Sequence, residues 1–395
     1  MNRSEILHYF DWAATSPADE DIVKNALEES VRIWGNPSSV HPAGTRAAFF
    51  LNAAREKAAA ALGVEPSSLY FTSGGTESNH IPMLSMLTRP APATILISSL
   101  EHPAVREQAF ALKNLGWKII TIPADLNGLI TPEAVESCLT DDTVLVCVMA
   151  VNNETGAVQP VIEIAQKLSE FYKGKRRPKF HVDCVQAAGK IKMPLLGGGI
   201  DSAAFSAHKI CGPRGIGILY SANEFTPFLR GGGQEKNIRP GTENLFGAKA
   251  VADCFERYCI SDKNPKMQER LELQIKWTGA LIQNFSTLKN CIILPHSRQE
   301  TQNEKNFSPW ILQAAFKGIP GQVMVRALGA KGFYISTGSA CSAKKRSRPV
   351  LEAMHVSAEE RESAVRFSFG FSTTEKAMRE LFEEVKNICR EFTVF

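Results

Sequence analysis

The 395-residue sequence has no uninterrupted apolar run approaching the roughly 20 residues needed to cross a bilayer, so no membrane span is expected. Its nine cysteines, at 138, 147, 184, 211, 254, 259, 291, 341 and 389, never form a CxxC pair. That spacing speaks against a structural zinc site, and no metal is expected. Several cysteines lie in apolar runs such as Val144–Met149, where reduced core thiols are the natural reading. The first residues, MNRSEILHYFDWAATSP, lack the apolar stretch and small-residue cleavage site of a secretory signal, which makes a cytoplasmic protein the expectation. Charge is also scarce in excess: the net value is +4, and the basic clusters Lys173–Arg177 and Lys344–Arg348 are short, so direct nucleic-acid binding is not expected. Neither an internal repeat nor a low-complexity tract is present.

What is present suits a large soluble chain: 44% hydrophobic and 22% charged residues over a length that ordinarily divides into about two or three domains. Between about 45 and 255, short apolar runs alternate with amphipathic stretches. Strands are expected at Ser68–Phe71, Thr94–Ile97, Lys118–Ile122, Thr143–Met149, Lys179–Asp183, Asp201–Ala207 and Gly215–Tyr220, and helices at Ala47–Leu62 and Ile162–Tyr172. This alternation predicts an α/β fold with a mostly parallel sheet covered by helices. The segment Gly231–Gly241 is too rich in glycine and polar groups for a regular element. Beyond it, a smaller α+β domain is expected at 256–395, with a large domain at 15–255 and a segment at 1–14 packing with the small one. The small domain's core would draw on Phe307–Phe316, Val323–Leu328, Phe333–Ser336 and a final helix, Glu375–Glu391.

Three motifs place chemistry at strand ends. Ser206-Ala-His208-Lys209 sets an amine beside two hydrogen-bond donors; a neutral amine can condense with an aldehyde while the donors hold a phosphate. Asp183 ends another strand, with Gln186 three residues on: a carboxylate suited to a protonated ring nitrogen and an amide suited to a phenolic oxygen. Phe71-Thr-Ser-Gly-Gly-Thr-Glu77 ends a third strand and opens a helix, so that Gly74, Gly75 and Thr76 can cradle a phosphate on free helix N–H groups. Taken singly, each has a bland structural reading, as a solvated lysine, a loop cap or a capped turn.

Together, and with Tyr9–Pro17, Gly35–Ser39, Glu101-His102, Val151–Gly156, Arg230–Gly233, Arg239–Thr242, Gly338-Ser-Ala-Cys341 and Val365–Ser368, these motifs cover nearly the whole chain. The sequence resembles the class V aminotransferase-like family of pyridoxal-phosphate enzymes (fold type I, aspartate aminotransferase-like), and within it the cysteine desulfurases of the NifS and IscS type. The resemblance implies pyridoxal 5'-phosphate as cofactor, bound by Gly75, Thr76, His102, Asn153, Asp183, Gln186, Ser206, His208 and Lys209. His102 is expected to stack on the ring and assist proton transfer, Asn153 to lie near the phenolic oxygen or the substrate, and Arg366, helped by Asn36, to receive the substrate carboxylate. Thr242 resembles the residue that reaches the phosphate of a neighbouring subunit, which implies a homodimer. Cys341, in a loop of small residues, is the branch marker. In the implied reaction Lys209 moves the α-proton of L-cysteine, and the Cys341 thiolate attacks the substrate sulfur. Alanine leaves, and a persulfide remains for a sulfur-acceptor protein such as an iron–sulfur scaffold or a sulfur relay. The cations after Cys341 are expected to favour its thiolate. Some positions depart from the family pattern: Gln234 replaces a common histidine, Pro240 a common serine, and the basic run after Cys341 a Thr/Ser-rich one. A selenocysteine lyase or transaminase of the same fold, and a non-catalytic cofactor-binding partner, stay open as alternatives.

Overall fold

Runs of Val, Ile, Leu and Phe too short to make a buried helix become strands in the computed structural model, which describes residues 7–193, 195, 198–300, 305–338 and 347–392. Seven of them form one sheet: β1 (Leu69–Thr72), β2 (Thr94–Ser98), β3 (Lys118–Ile122), β4 (Thr143–Cys147), β5 (Lys179–Asp183), β6 (Ser202–Ser206) and β7 (Gly217–Ser221). Their order is β1-β7-β6-β5-β4-β2-β3. Only β7 runs against the rest, pairing antiparallel with both β1 and β6, while the remaining pairs are parallel. Every residue of β1, β2, β6 and β7 is buried, as befits strands covered on both faces, which is why they read as continuous apolar runs rather than alternating ones. The edge strand β3 instead exposes Lys118 and Thr121.

A second sheet, antiparallel in the order β10-β9-β8, is built from β8 (Cys291–Leu294), β9 (Ile311–Phe316) and β10 (Ala364–Ser368). Phe285, Phe316 and Phe367 pack edge-on and tilted against one another in its core. The helix Glu375–Phe392 lays Ala377, Met378, Leu381, Val385 and Ile388 onto this core, a helical spacing with charged residues facing outward. Phe10 enters the same core, and the N-terminal segment is tied down by Phe10 N–H to the Tyr334 carbonyl and Ser368 N–H to the Phe10 carbonyl, both 2.8 Å. In the Phe333–Ser336 run, Phe333 and Ile335 are buried and Tyr334 is exposed. The polarity of the large sheet fixes where chemistry can occur: the parallel strands β1, β2, β4, β5 and β6 deliver their C-terminal ends to one edge.

Candidate active site

A cavity of 730 Å³ opens at that edge, lined by Gly75, Thr76, His102, Asn153, Asp183, Gln186, Ser206, His208, Lys209 and Arg366 among others. Gly75 and Thr76 follow β1, His102 follows β2, Asn153 follows β4, Asp183 ends β5, and Ser206 to Lys209 end β6 and the turn after it. Gly75 to Lys209, dispersed over 134 positions of sequence, thus meet because parallel strands place their ends side by side, while Arg366 comes from β10 of the second sheet.

Asp183 is held by a chain of hydrogen bonds whose polarity can be read link by link. Asn79 Nδ2 donates to Asp183 Oδ2 at 2.9 Å and Val185 N–H donates to Oδ1 at 2.9 Å. The Asn79 amide oxygen must then accept, and it does so from His181 Nε2 at 2.8 Å, which leaves His181 Nδ1 to accept from Ser202 Oγ at 2.8 Å. Burial pushes His181 down to about 3, so the ring is neutral and this tautomer is the one that satisfies all four groups. Burial also raises the Asp183 carboxyl above its ordinary range, against the pull of His102 and its hydrogen-bond donors. A buried carboxylate so placed is stabilised by a charged donor, which a protonated pyridine nitrogen supplies. Neither Asn79 nor Ser202 was singled out from sequence, and His181 entered only as part of the expected strand Lys179–Asp183. A polar residue one turn into the helix Gly75–Ser85 and an alternate-face pair at register His181↔Ser202 were the available signals.

Lys209 donates from Nζ to the carbonyls of Ala13 and Ala14, each at 2.6 Å. His208 is pushed down to about 4, chiefly by burial and by Lys209, and its Nδ1 lies 3.1 Å from Thr15 Oγ1. His102 caps the helix Pro103–Lys113: its Nδ1 accepts from Ala104 N–H at 3.1 Å, so Nε2 carries the proton. Burial lowers its pKa as well. Gly74 has φ of +151°, a region L side chains rarely adopt, and a Cβ on Gly75 would come within 2.7 Å of Val185 Cγ2. The start of the helix Gly75–Ser85 can therefore approach a ligand with bare backbone N–H groups, beside Ser206 and His208. An anion cradle, a buried carboxylate and an amine in one cavity fit pyridoxal phosphate.

Arg366, 2% exposed, donates from Nη2 to Asp11 Oδ1 at 2.7 Å and from Nη1 to the Asn153 carbonyl at 2.9 Å. Its guanidinium is thereby aimed before any substrate arrives, and Asp11 joins the site as its holder. Cys341 lies outside the described residues, but the described positions on either side of that segment, Gly338 and Ser347, both line the cavity. Arg348, of the basic run, is half-buried, 3.9 Å from Glu154 Oε2, and Nη1 donates to the carbonyls of Arg361 and Ala364. Asn36 and Thr242 are exposed and do not line the cavity of their own chain. Two of the family departures lie in the Gly231–Gly241 segment: Gln234 Oε1 accepts from Gly241 N–H at 3.0 Å, and Pro240 covers Gly231, where a Cβ would meet it at 2.4 Å. All eight described cysteines are free. Burial raises Cys147, Cys184, Cys211, Cys254 and Cys259 far into the thiol form. Among the described residues no cluster suits a metal ion, and no helix is long and apolar enough to cross a membrane.

Comparison with known proteins agrees with this geometry. The family model described as aminotransferase class-V matches residues 8–381. A NifS/IcsS protein homolog of Lactobacillus delbrueckii subsp. bulgaricus is 37% identical over 396 residues, covering 98% of this chain and 98% of its own. A cysteine desulfurase IscS of Methanosarcina thermophila is 33% identical over 390 residues, covering 97% and 92%. A solved NifS-like protein superposes with a TM-score of 0.83 at 31% identity, covering 97% of this chain and 99% of that one.

Proposed function

The chain belongs to the aminotransferase class-V family and is a pyridoxal-phosphate-dependent cysteine desulfurase; on that premise we propose that Lys209 carries the cofactor and moves the substrate's proton, and that Cys341 receives the sulfur. The observation that carries this division is that one cavity gathers Lys209, Asp183 and both flanks of the Cys341 segment.

When bound, pyridoxal phosphate supplies an aldehyde that captures amines and a ring that stores the electron pair released at the substrate's α-carbon. Gly75, Thr76, Ser206 and His208 would hold its phosphate, Asp183 its ring nitrogen, Gln186 and Asn153 its phenolic side, and His102 its face. Arg366, already aimed by Asp11, binds the carboxylate of L-cysteine bidentately. Lys209, released as a free amine, takes the α-proton at Nζ and later returns one to the product side. The Cys341 thiolate then attacks the substrate sulfur: the carbon–sulfur bond breaks, a sulfur–sulfur bond forms, and the products are L-alanine and a Cys341 persulfide. The high thiol pKa values of the buried cysteines support Cys341 as the carrier. An acceptor protein takes the sulfur onward, for iron–sulfur cluster or thio-cofactor and tRNA synthesis, in a reducing cytoplasm that keeps these thiols free.

A homodimer completes the site in this reading. Asn36 and Thr242 serve a cavity only if they reach that of a second copy, and Trp34, Val40 and Phe49, 76%, 99% and 77% exposed, give that copy an apolar face to cover. We place the division between the large and small domains at 255/256, inside the helix Leu245–Tyr258.

The test is alanine and sulfide production from L-cysteine by the purified protein, with Cys341→Ala and Lys209→Ala alongside. Wild type is expected to make both products. Cys341→Ala should keep the cofactor's absorbance and lose at least about 100-fold in sulfide release, and Lys209→Ala should lose both products. Sulfide release by Cys341→Ala at the wild-type rate would remove that residue from the mechanism. Cofactor binding without alanine from cysteine would favour a transaminase or a selenocysteine lyase.

A further inference from the structure

Lys190 is 2% exposed, and the charged or ionisable groups acting on it are Lys209, Arg366 and Cys211, so among the described residues no carboxylate is paired with it. Among the described residues its side chain makes one hydrogen bond, a donation from Nζ to Gln186 Oε1 at 2.6 Å. Gln186 in turn donates from Nε2 to the Ala13 carbonyl at 2.9 Å, the same oxygen that accepts from Lys209. The Ala13 carbonyl can only accept and Lys190 Nζ donates, so the amide has one orientation: oxygen toward Lys190, NH₂ toward Ala13 and the cavity.

We propose that Lys190 is a positioning residue that fixes Gln186 as a hydrogen-bond donor toward the cofactor's phenolic oxygen. This rests on the pyridoxal-phosphate reading of the cavity. A donor aimed at that oxygen favours its ionised form, so Lys190 tunes the pH at which the bound cofactor loses its proton. Burial and the two neighbouring cations push Lys190 itself down to about 7, consistent with an amine retained for its donor rather than for an ion pair.

The experiment is an absorbance titration of the cofactor-loaded protein from about pH 6 to about pH 10. Glu101, His102, Arg106, Glu107, Glu154, Asp183, His208, Lys209 and Arg366 face the same cavity and are common to every variant, so the comparison isolates Lys190. Lys190→Met is expected to raise the midpoint by at least about half a unit. Lys190→Gln, which can still donate to Gln186, should recover at least half of that shift, and in a Gln186→Ala background Lys190→Met should add nothing. An unchanged midpoint in a Lys190→Met protein that retains cofactor, or the same shift with and without Gln186, overturns the role. If Lys190→Met does not fold, Lys190→Gln decides: a midpoint near wild type supports the proposal, and one as high as Gln186→Ala sinks it. A wild-type protein with no cofactor absorbance would instead sink the cofactor reading itself.

Discussion

Glu101 and Asp183 are two buried carboxyl groups lining one cavity, and burial first, then the Asp183 charge, raises the cost of ionising Glu101. Glu101 Oε1 accepts from Ser98 Oγ at 2.5 Å and from Met149 N–H at 2.7 Å, whereas the buried Oε2 has no hydrogen-bond partner among the described residues. Burial pushes Glu101 from 4.5 up to about 8, so near neutrality it keeps its proton and leaves the negative charge to Asp183. The consequence for stability has a definite sign. Because the folded pKa is the higher one, the native protein holds a proton that the unfolded chain has released, and stability falls as pH rises from 4.5 to about 8. Glu101→Gln does not titrate, so its melting temperature should match wild type near pH 4.5 and gain on it through that window, by up to about 1.4 kcal/mol per pH unit. A gap that does not change with pH would mean that Glu101 is ionised in the fold. At this scale the sequence was legible where a residue's chemistry is unusual for its position, as with Lys209 and Asp183 at strand ends. Asn79, His181, Lys190 and Asp11 were not legible as site residues, because each acts through a partner that only the folded sheet brings near.

The strands of the large sheet were legible as short apolar runs: β3 and β5 fall on the expected residues, and the helices expected at Ala47–Leu62, Ile162–Tyr172 and Glu375–Glu391 are found at Pro42–Leu62, Val161–Phe171 and Glu375–Phe392. The Gly231–Gly241 segment was legible only as irregular. In the fold its buried anchor is Glu235, whose carboxylate receives Arg55 Nη1 and Nη2 at 2.7 and 2.6 Å and Phe71 N–H at 2.7 Å. This anchor stabilises Glu235, Lys236 and Asn237 at positive φ, and Arg239 reaches Glu77 at the start of the phosphate-facing helix. Arg55 and Glu235 lie 180 residues apart, so no local pattern announces them. Arg55→Met would leave a buried carboxylate with a single donor and should cost about 3–5 kcal/mol in urea unfolding. Adding Glu235→Gln should return part of that loss, since the charge left behind is then gone. A loss below about 1 kcal/mol for Arg55→Met would mean that the loop is held by something else.

At the scale of the whole molecule, the question is which chain supplies Thr242. The loop that bears it is braced against β1 of its own subunit through Glu235, yet Thr242 itself is exposed and away from the cavity that holds Lys209. If it serves the neighbour, one site is built from two chains, and damage to the two residues can be complemented between subunits. Lys209→Ala and Thr242→Ala proteins should each desulfurate cysteine poorly alone. In a mixed dimer, one site then combines both lesions, while the other draws intact Lys209 from one chain and intact Thr242 from its partner. Random exchange of subunits should therefore restore roughly a quarter of the sites, read as alanine formed after mixing. Were Thr242 to act within its own subunit, every site in the mixed dimer would carry one lesion, and mixing would restore nothing.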